Sequence, residues 1–255
     1  MAQSLKDLFG GWRPLALPSL EIPSALRLAV LAPHPDDFDA IGMALHFFQQ
    51  NGNTIELAVL SSGASGVEDG FGGAFTAGEK AALRENEQRA SCFFFGLPES
   101  RLNFLRLSED DQGHPADNPG NLALVRNYLL ARQPDMVFLP HGNDTNPGHQ
   151  RTYAFLRRVI EEAKWTLVAC LNRDPKTIAM RPDLFFPFGA EEAEWKGQLL
   201  RFHQSQHQRN WNTRRHGFDV RILEVNRQIA DGLVIPASYA EVFELEFYGS
   251  TGSDG

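Results

Sequence analysis

Short apolar runs alternate with amphipathic stretches along most of this chain. Leu28-Ala29-Val30-Leu31 is continuous and apolar, so residues 27–32 read as a strand buried on both faces. Ile41, Leu45 and Phe48 then recur at helical spacing, and residues 36–51 read as a helix that stops at Asn51-Gly52. The alternation continues with strands at 54–60, 102–107, 136–139 and 165–171, and helices at 79–96, 121–133 and 150–164. Strands that alternate with helices predict βαβ units and a mainly parallel sheet. After Asn172 the pattern changes. Residues 175–190 read as irregular or hairpin-like and 191–208 as a helix. Residues 240–248 alternate apolar and acidic side chains, as an edge or terminal strand would. The expected fold is α/β and Rossmann-like, in three layers, with a mainly parallel central sheet and a C-terminal helix and strand elaboration.

At 255 residues, one domain accounts for the whole chain, with residues 1–24 as an N-terminal arm and 249–255 as a flexible tail. Leu5, Leu8, Phe9 and Trp12 give the arm a short amphipathic face, read as packing on the body or on a sister subunit. A homo-oligomer using the arm or the last strand stays open at this point. The net charge of −8 argues against a nucleic-acid or anionic-membrane surface, while leaving room for a small, locally positive pocket. No apolar run reaches the roughly 20 residues of a membrane span, and the N-terminus lacks the pattern of a cleaved leader. The two cysteines, Cys92 and Cys170, lie in apolar runs and read as buried free thiols, which points to a reduced, cytoplasmic setting.

The chemistry gathers at strand ends. Ala32-Pro33-His34-Pro35-Asp36-Asp37 releases an imidazole and two carboxylates into one turn after the first strand. The carboxyl ends of parallel strands are where α/β folds place ligands. His149 follows a second polar loop, 140–148, after the strand 136–139. His34, Asp37 and His149 make three nitrogen and oxygen ligands, the number a hydrolytic zinc site takes while leaving a position open for water. Other divalent metals also suit such a set. Asp36 is left over beside the ligands, placed to act as general base. The plain alternative is that Asp36 or Asp37 only caps the following helix. A long Gly- and Ser-rich loop at 61–78 is the other segment of functional length. Its Gly70–Gly73 stretch lacks the dinucleotide fingerprint, and Phe71 and Phe75 within it read as a roof over a ring or as an interface anchor. His203 and His207, four apart on a helix, lack a third ligand and read as surface or interface histidines.

Pro33-His34-Pro35-Asp36-Asp37 resembles the signature of the PIG-L/LmbE-like family of zinc-dependent N-deacetylases. Further pieces resemble that family in order. They are Ser62-Gly63-Ala64-Ser65-Gly66, Arg84-Glu85 with Phe95-Gly96-Leu97, Pro147-Gly148-His149-Gln150-Arg151, His203-Gln204-Ser205-Gln206 and Tyr239-Ala240-Glu241-Val242-Phe243. The resemblance implies one zinc ion per chain on His34, Asp37 and His149, with Asp36 as base. It implies Arg84, Ser62 and Gly63 near the substrate, and removal of acetyl from an N-acetylglucosamine-type sugar or glycoconjugate. The chain departs from the pattern in three places. Phe38 replaces the Glu after the Asp pair, with Asp39 next; Asn146 replaces an oxyanion-stabilising His; Gly148 replaces its Asp. Asn146 offers an amide donor instead, and His141 and His114 are alternative donors. Asp144 reads as an Asx turn, as a partner for His149, or as a substrate contact. These departures keep two alternatives open: a weak or inactive carbohydrate-binding protein on the same fold, and a hydrolase of a different amide.

Overall fold

The structure, a computed structural model, describes residues 2–249, so residues 250–255 of the expected tail lie outside the described residues. The chain opens with α1 (Ala2–Leu8) and β1 (Leu15–Ala16), then β2 (Arg27–Ala32), α2 (Asp37–Ala40), α3 (Gly42–Gln50) and β3 (Thr54–Val59). It continues with α4 (Ala77–Phe95), β4 (Leu102–Phe104), α5 (Pro119–Arg132), β5 (Met136–Pro140), α6 (Pro147–Ala163) and β6 (Leu167–Asn172). The last third holds β7 (Leu184–Phe188), α7 (Ala190–Arg201), α8 (Gln204–Arg214), α9 (Phe218–Leu233) and β8 (Tyr239–Tyr248).

The strands form one sheet in the order β1-β7-β8-β6-β5-β2-β3-β4. From β6 to β4 every pairing is parallel, while β8 runs antiparallel to both β6 and β7. The chain winds outward from β2 in both directions: β3 and β4 add on one side, β5 and β6 on the other. The crevice between β2 and β5 is therefore the switch point where such sheets bind ligands. Alternation along β2 fills two cores. Leu28, Val30 and Ala32 pack with α3 residues such as Leu45 and Phe48. Ala29 and Leu31 pack with Leu129 of α5 and Phe155 of α6 on the opposite face. These are the expected three layers.

Four local expectations change. The helix expected over 36–51 breaks at Ile41, whose φ of −115° is not helical. The helix expected over 191–208 breaks at His203 into α7 and α8. Helix α9 was not foreseen, although Phe218, Ile222, Val225 and Ile229 carry its spacing. Finally, β8 is the terminal strand of the chain but not an edge: it pairs with both β6 and β7, and each of its acids has a partner, Glu241 with Lys196, Glu244 with Arg181 and His141, and Glu246 with Tyr153. In the arm, Leu5 and Phe9 are buried against the body and Trp12 is exposed.

Candidate active site

A cavity of about 460 Å³ opens at the switch point, lined by His34, Asp36, Asp37, Asn146 and His149 among others. His34 and Asp36 sit on the turn leaving β2. Asp37 begins α2, and its Oδ2 accepts the His34 backbone N–H at 2.8 Å. The same oxygen lies 3.4 Å from His34 Nδ1, and Asp37 Oδ1 lies 3.6 Å from His149 Nε2. Ligand atoms roughly 2.0–2.2 Å from one tetrahedral ion must stand about 3.3–3.6 Å apart. The two measured contacts fall in that range, and one ligand atom from each of the three side chains lies within 4.8 Å of the others.

The charges around them agree. Burial tends to raise the Asp37 carboxyl, but hydrogen bonds from His34 and the charges of His149 and His34 bring it down to about 2. Burial tends to lower the His149 imidazole, yet Asp174, Asp144 and Asp37 hold it up to about 9. Three carboxylates around one imidazole create a place for a cation, which a divalent metal would fill in place of a proton. Asp144 Oδ2 approaches His149 Nδ1 to 3.2 Å, the arrangement that fixes the ring of a ligating histidine. Asp144 Oδ1 also accepts the Asn146 N–H, so this residue is both turn and orienting partner, and it lies behind His149 rather than in the cavity. Asp174 lines the cavity 3.9 Å from His149 Nδ1 and was not foreseen. Only its place in a polar loop after a buried strand marks it in the sequence.

Asp36 adopts φ 112° and ψ −24°, a left-handed conformation that costs a non-glycine residue on the order of 1–3 kcal/mol. Helix α4 supplies the groups that hold it. A capping box between Thr76 and Glu79 starts this helix, and its buried face carries Arg84, Gln88 and Ser91. Arg84 Nη2 sits 3.0 Å from Asp36 Oδ2 and also donates to the Pro35 carbonyl. Gln88 Oε1 accepts the Asp36 N–H at 3.0 Å. Gln88 Nε2 and Ser91 Oγ donate to Asp39 Oδ2, which also meets His203 Nε2. His203 is therefore fully buried rather than a surface histidine, because the buried Asp39 carboxylate needs its donor. Phe38, beside it, packs in the core against Phe95.

The remaining expected residues divide. Gly63 and Arg84 line the cavity. Ser62 does not; its N–H and Oγ both donate to Glu109 Oε1. His141 is not brought to the cavity either: its ring bonds Glu244 and accepts the Asn143 N–H. Asn146 caps α6 through Oδ1, accepting the Gly148 N–H at 2.9 Å, which leaves its amide NH₂ available to the cavity. His114 lines the cavity with its ring 6.3 Å from that of His34, and burial, with His34 beside it, lowers its imidazole. Phe71 and Phe75 lie outside the lining, and Cys92 and Cys170 are buried free thiols.

The family model for PIG-L, described as GlcNAc-PI de-N-acetylase, matches residues 29–160. Among solved structures, N,N'-diacetylchitobiose deacetylase from Pyrococcus horikoshii superposes with a TM-score of 0.74 at 16% identity, over 96% of this chain and 90% of that one. A deacetylase of teicoplanin biosynthesis gives 0.64 at 16% identity, over 89% of this chain and 100% of its own. The 4-carboxy-2-hydroxymuconate hydratase from Pseudomonas putida KT2440 gives 0.66 at 18%, over 90% of this chain and 100% of its own. At these identities the likeness is one of fold. No curated protein sequence matches the chain.

Proposed function

This chain belongs to the PIG-L family of de-N-acetylases, and from that premise we propose that it is a metal-dependent hydrolase that removes acetyl from an N-acetylglucosamine-type sugar or glycoconjugate. The observation that carries the reading is the meeting of His34, Asp37 and His149 with Asp36 in one cavity. When bound to those three ligands, a divalent cation, zinc by preference, would acidify water and polarise the amide carbonyl. Asp36 takes the proton of the attacking water and returns it to the departing amine, so the reaction yields free amine and acetate. Arg84 aims the Asp36 carboxylate through its 3.0 Å contact. The Asn146 amide and the His114 ring are the available donors toward the developing oxyanion. The buried free thiols support a cytoplasmic setting for this chemistry.

The test offers zinc-loaded protein a panel of N-acetylated glucosamine derivatives and measures free amine. Asp36→Asn, whose side chain tolerates the left-handed backbone, should keep zinc and lose roughly 10²–10⁴ in turnover. Turnover undiminished in Asp36→Asn removes the base assignment. One observation favours a second reading, a carbohydrate-binding protein of little or no turnover: Asn146 and Gly148 stand where the family's segment supplies an imidazole and a carboxylate. Zinc and sugar binding without amine release across the panel would select it.

A further inference from the structure

We propose that the substrate carries an anionic group, a phosphate, phosphodiester or carboxylate, which Arg209, Arg214 and Arg221 bind on the α8–α9 wall of the cavity. The proposal rests on the deacetylase reading for the reaction and on the cavity's own charges for the ligand.

The wall is built by helical spacing. Gln206, Arg209, Asn210 and Thr213 recur at i, i+3, i+4 and i+7 on α8, and all line the cavity. Phe218, Arg221 and Ile222 do the same from the first turn of α9, with Arg214 closing α8 between them. Phe218 and Ile222 form an apolar floor, and the guanidinium groups stand around it. This is the usual composition of a small-molecule site, apolar surface with a few convergent polar groups.

The charge balance is the reverse of the chain's. The sequence holds 24 basic against 32 acidic residues. The cavity lining holds five cations, the three arginines with Arg84 and Lys176. Its carboxylates are three, Asp36, Asp37 and Asp174, all at the end where a metal would sit. A bound divalent cation would make the cavity still more positive.

Most arginines of this protein are paired. Arg151 meets Asp110 at 2.6 Å, Arg201 meets Asp219 at 2.8 Å and Arg132 meets Glu56 at 3.4 Å. Among the described residues, Arg209, Arg214 and Arg221 have no carboxylate oxygen within 4.0 Å. Burial lowers the Arg221 guanidinium; Arg214 and Arg209 push it the same way, against the pull of Asp174 and Asp36. Arg221 therefore feels both neighbouring arginines, and among the described residues none of the three is ion-paired with a carboxylate. Planar guanidinium groups bind phosphate and carboxylate oxygens through paired, charge-assisted hydrogen bonds. An oxyanion on the substrate supplies the missing charge and orients the sugar toward Asp36.

The experiment compares kcat/KM of the zinc-loaded protein for N-acetylglucosamine, N-acetylglucosamine 1-phosphate and N-acetylglucosaminuronic acid, by free-amine release. The anionic sugars should exceed the neutral one at least tenfold, and which of the two leads separates a phosphoryl from a carboxyl group. In Arg221→Gln, and in the double variant Arg209→Gln/Arg214→Gln at exposed positions, the anionic-to-neutral ratio should fall about tenfold, chiefly through KM. Binding of inorganic phosphate, titrated by calorimetry, gives a readout independent of turnover and should weaken in both variants. Equal kcat/KM for neutral and anionic sugars, with phosphate binding indifferent to the substitutions, overturns the anion site and leaves the deacetylase reading intact. Phosphate binding that needs the arginines, with no amine from any sugar, keeps the anion site and overturns the reaction.

Discussion

Lys196→Met tests how the ligand-bearing turn is anchored. Lys196 is fully buried, and its Nζ donates to Ala40 O, Asn226 Oδ1 and Glu241 Oε1, each at 2.7 Å. Glu241, 2% exposed, also accepts the backbone N–H groups of Met43 and Ala44 at 3.0 and 2.7 Å, at the start of α3. Methionine fills a similar volume, so cavity formation adds little. What is lost is the charge that balances Glu241 and the donor for two other buried oxygens. Breaking a buried pair from one side costs about 3–5 kcal/mol, which for a chain of this size lowers Tm by roughly 6–20 °C. Glu241→Gln removes the charge and keeps an acceptor for one of the two N–H groups. In the Lys196→Met background it should therefore cost less than in the wild type, by at least about 1 kcal/mol. Chemical denaturation of the four proteins of this cycle measures both quantities. A Lys196→Met variant within about 1 kcal/mol of wild type would refute the view that Lys196 compensates the buried charge of Glu241.

Three further outcomes follow from the same geometry. Asp144→Asn keeps a side chain of the same shape behind His149 but removes its charge, so zinc affinity, measured against a competing chelator, should fall about 10–100-fold. Gly148→Asp restores the family's carboxylate yet should weaken zinc binding at least about tenfold, because its Cβ would stand 2.9 Å from His34 Cε1 and 3.0 Å from Nε2; a gain in turnover would contradict this. The Asp110 carboxyl is held at about 2 by the backbone N–H of His114, then by Arg151 and the N–H of Gln112. Its folded value lies below the ordinary one, so its contribution is present above about pH 4 and lost as pH falls through about 2. Hydrogen exchange at His114 and Gln112 should stay slow down to that range, and loss of protection near pH 6 would argue against it.

That His34, Asp36 and Asp37 share one turn at a strand end was legible because its information is local: a buried strand, a proline-flanked turn and adjacent acids occupy about ten residues. His149 was legible for the same reason, following the neighbouring parallel strand. The groups behind the site were not, because they meet only through the sheet and helix packing. Nothing near His203 announces that Asp39, 164 positions away, will be its hydrogen-bond partner. The acids of β8 read as solvent-facing until Lys196, Arg181 and Tyr153 arrive from other elements. His141 lies in the loop after β5 but is drawn off by Glu244 on β8 of the same sheet. Helix α9 hid for a different reason: its apolar spacing is interrupted by Asp219, Arg221 and Asn226, which serve Arg201, the cavity and the Lys196 network rather than solvent.

The molecule divides its work along the chain. The residues that would bind metal and move the proton, from His34 to His149, lie inside the segment that matches the family model, 29–160. That segment cannot hold Asp36 by itself. The strained backbone at φ 112° is held in part by Gln88, which also bonds Asp39, whose third side-chain partner is His203 at the break between α7 and α8. The same break turns the chain so that α8 faces the cavity with Arg209 and Thr213. One buried imidazole thus links the geometry of Asp36, the proposed base, to the placement of the cationic wall. Substituting His203 by Phe should therefore lower turnover and disturb anion recognition together, although it touches neither, and an effect on one alone would separate the two ends of the cavity.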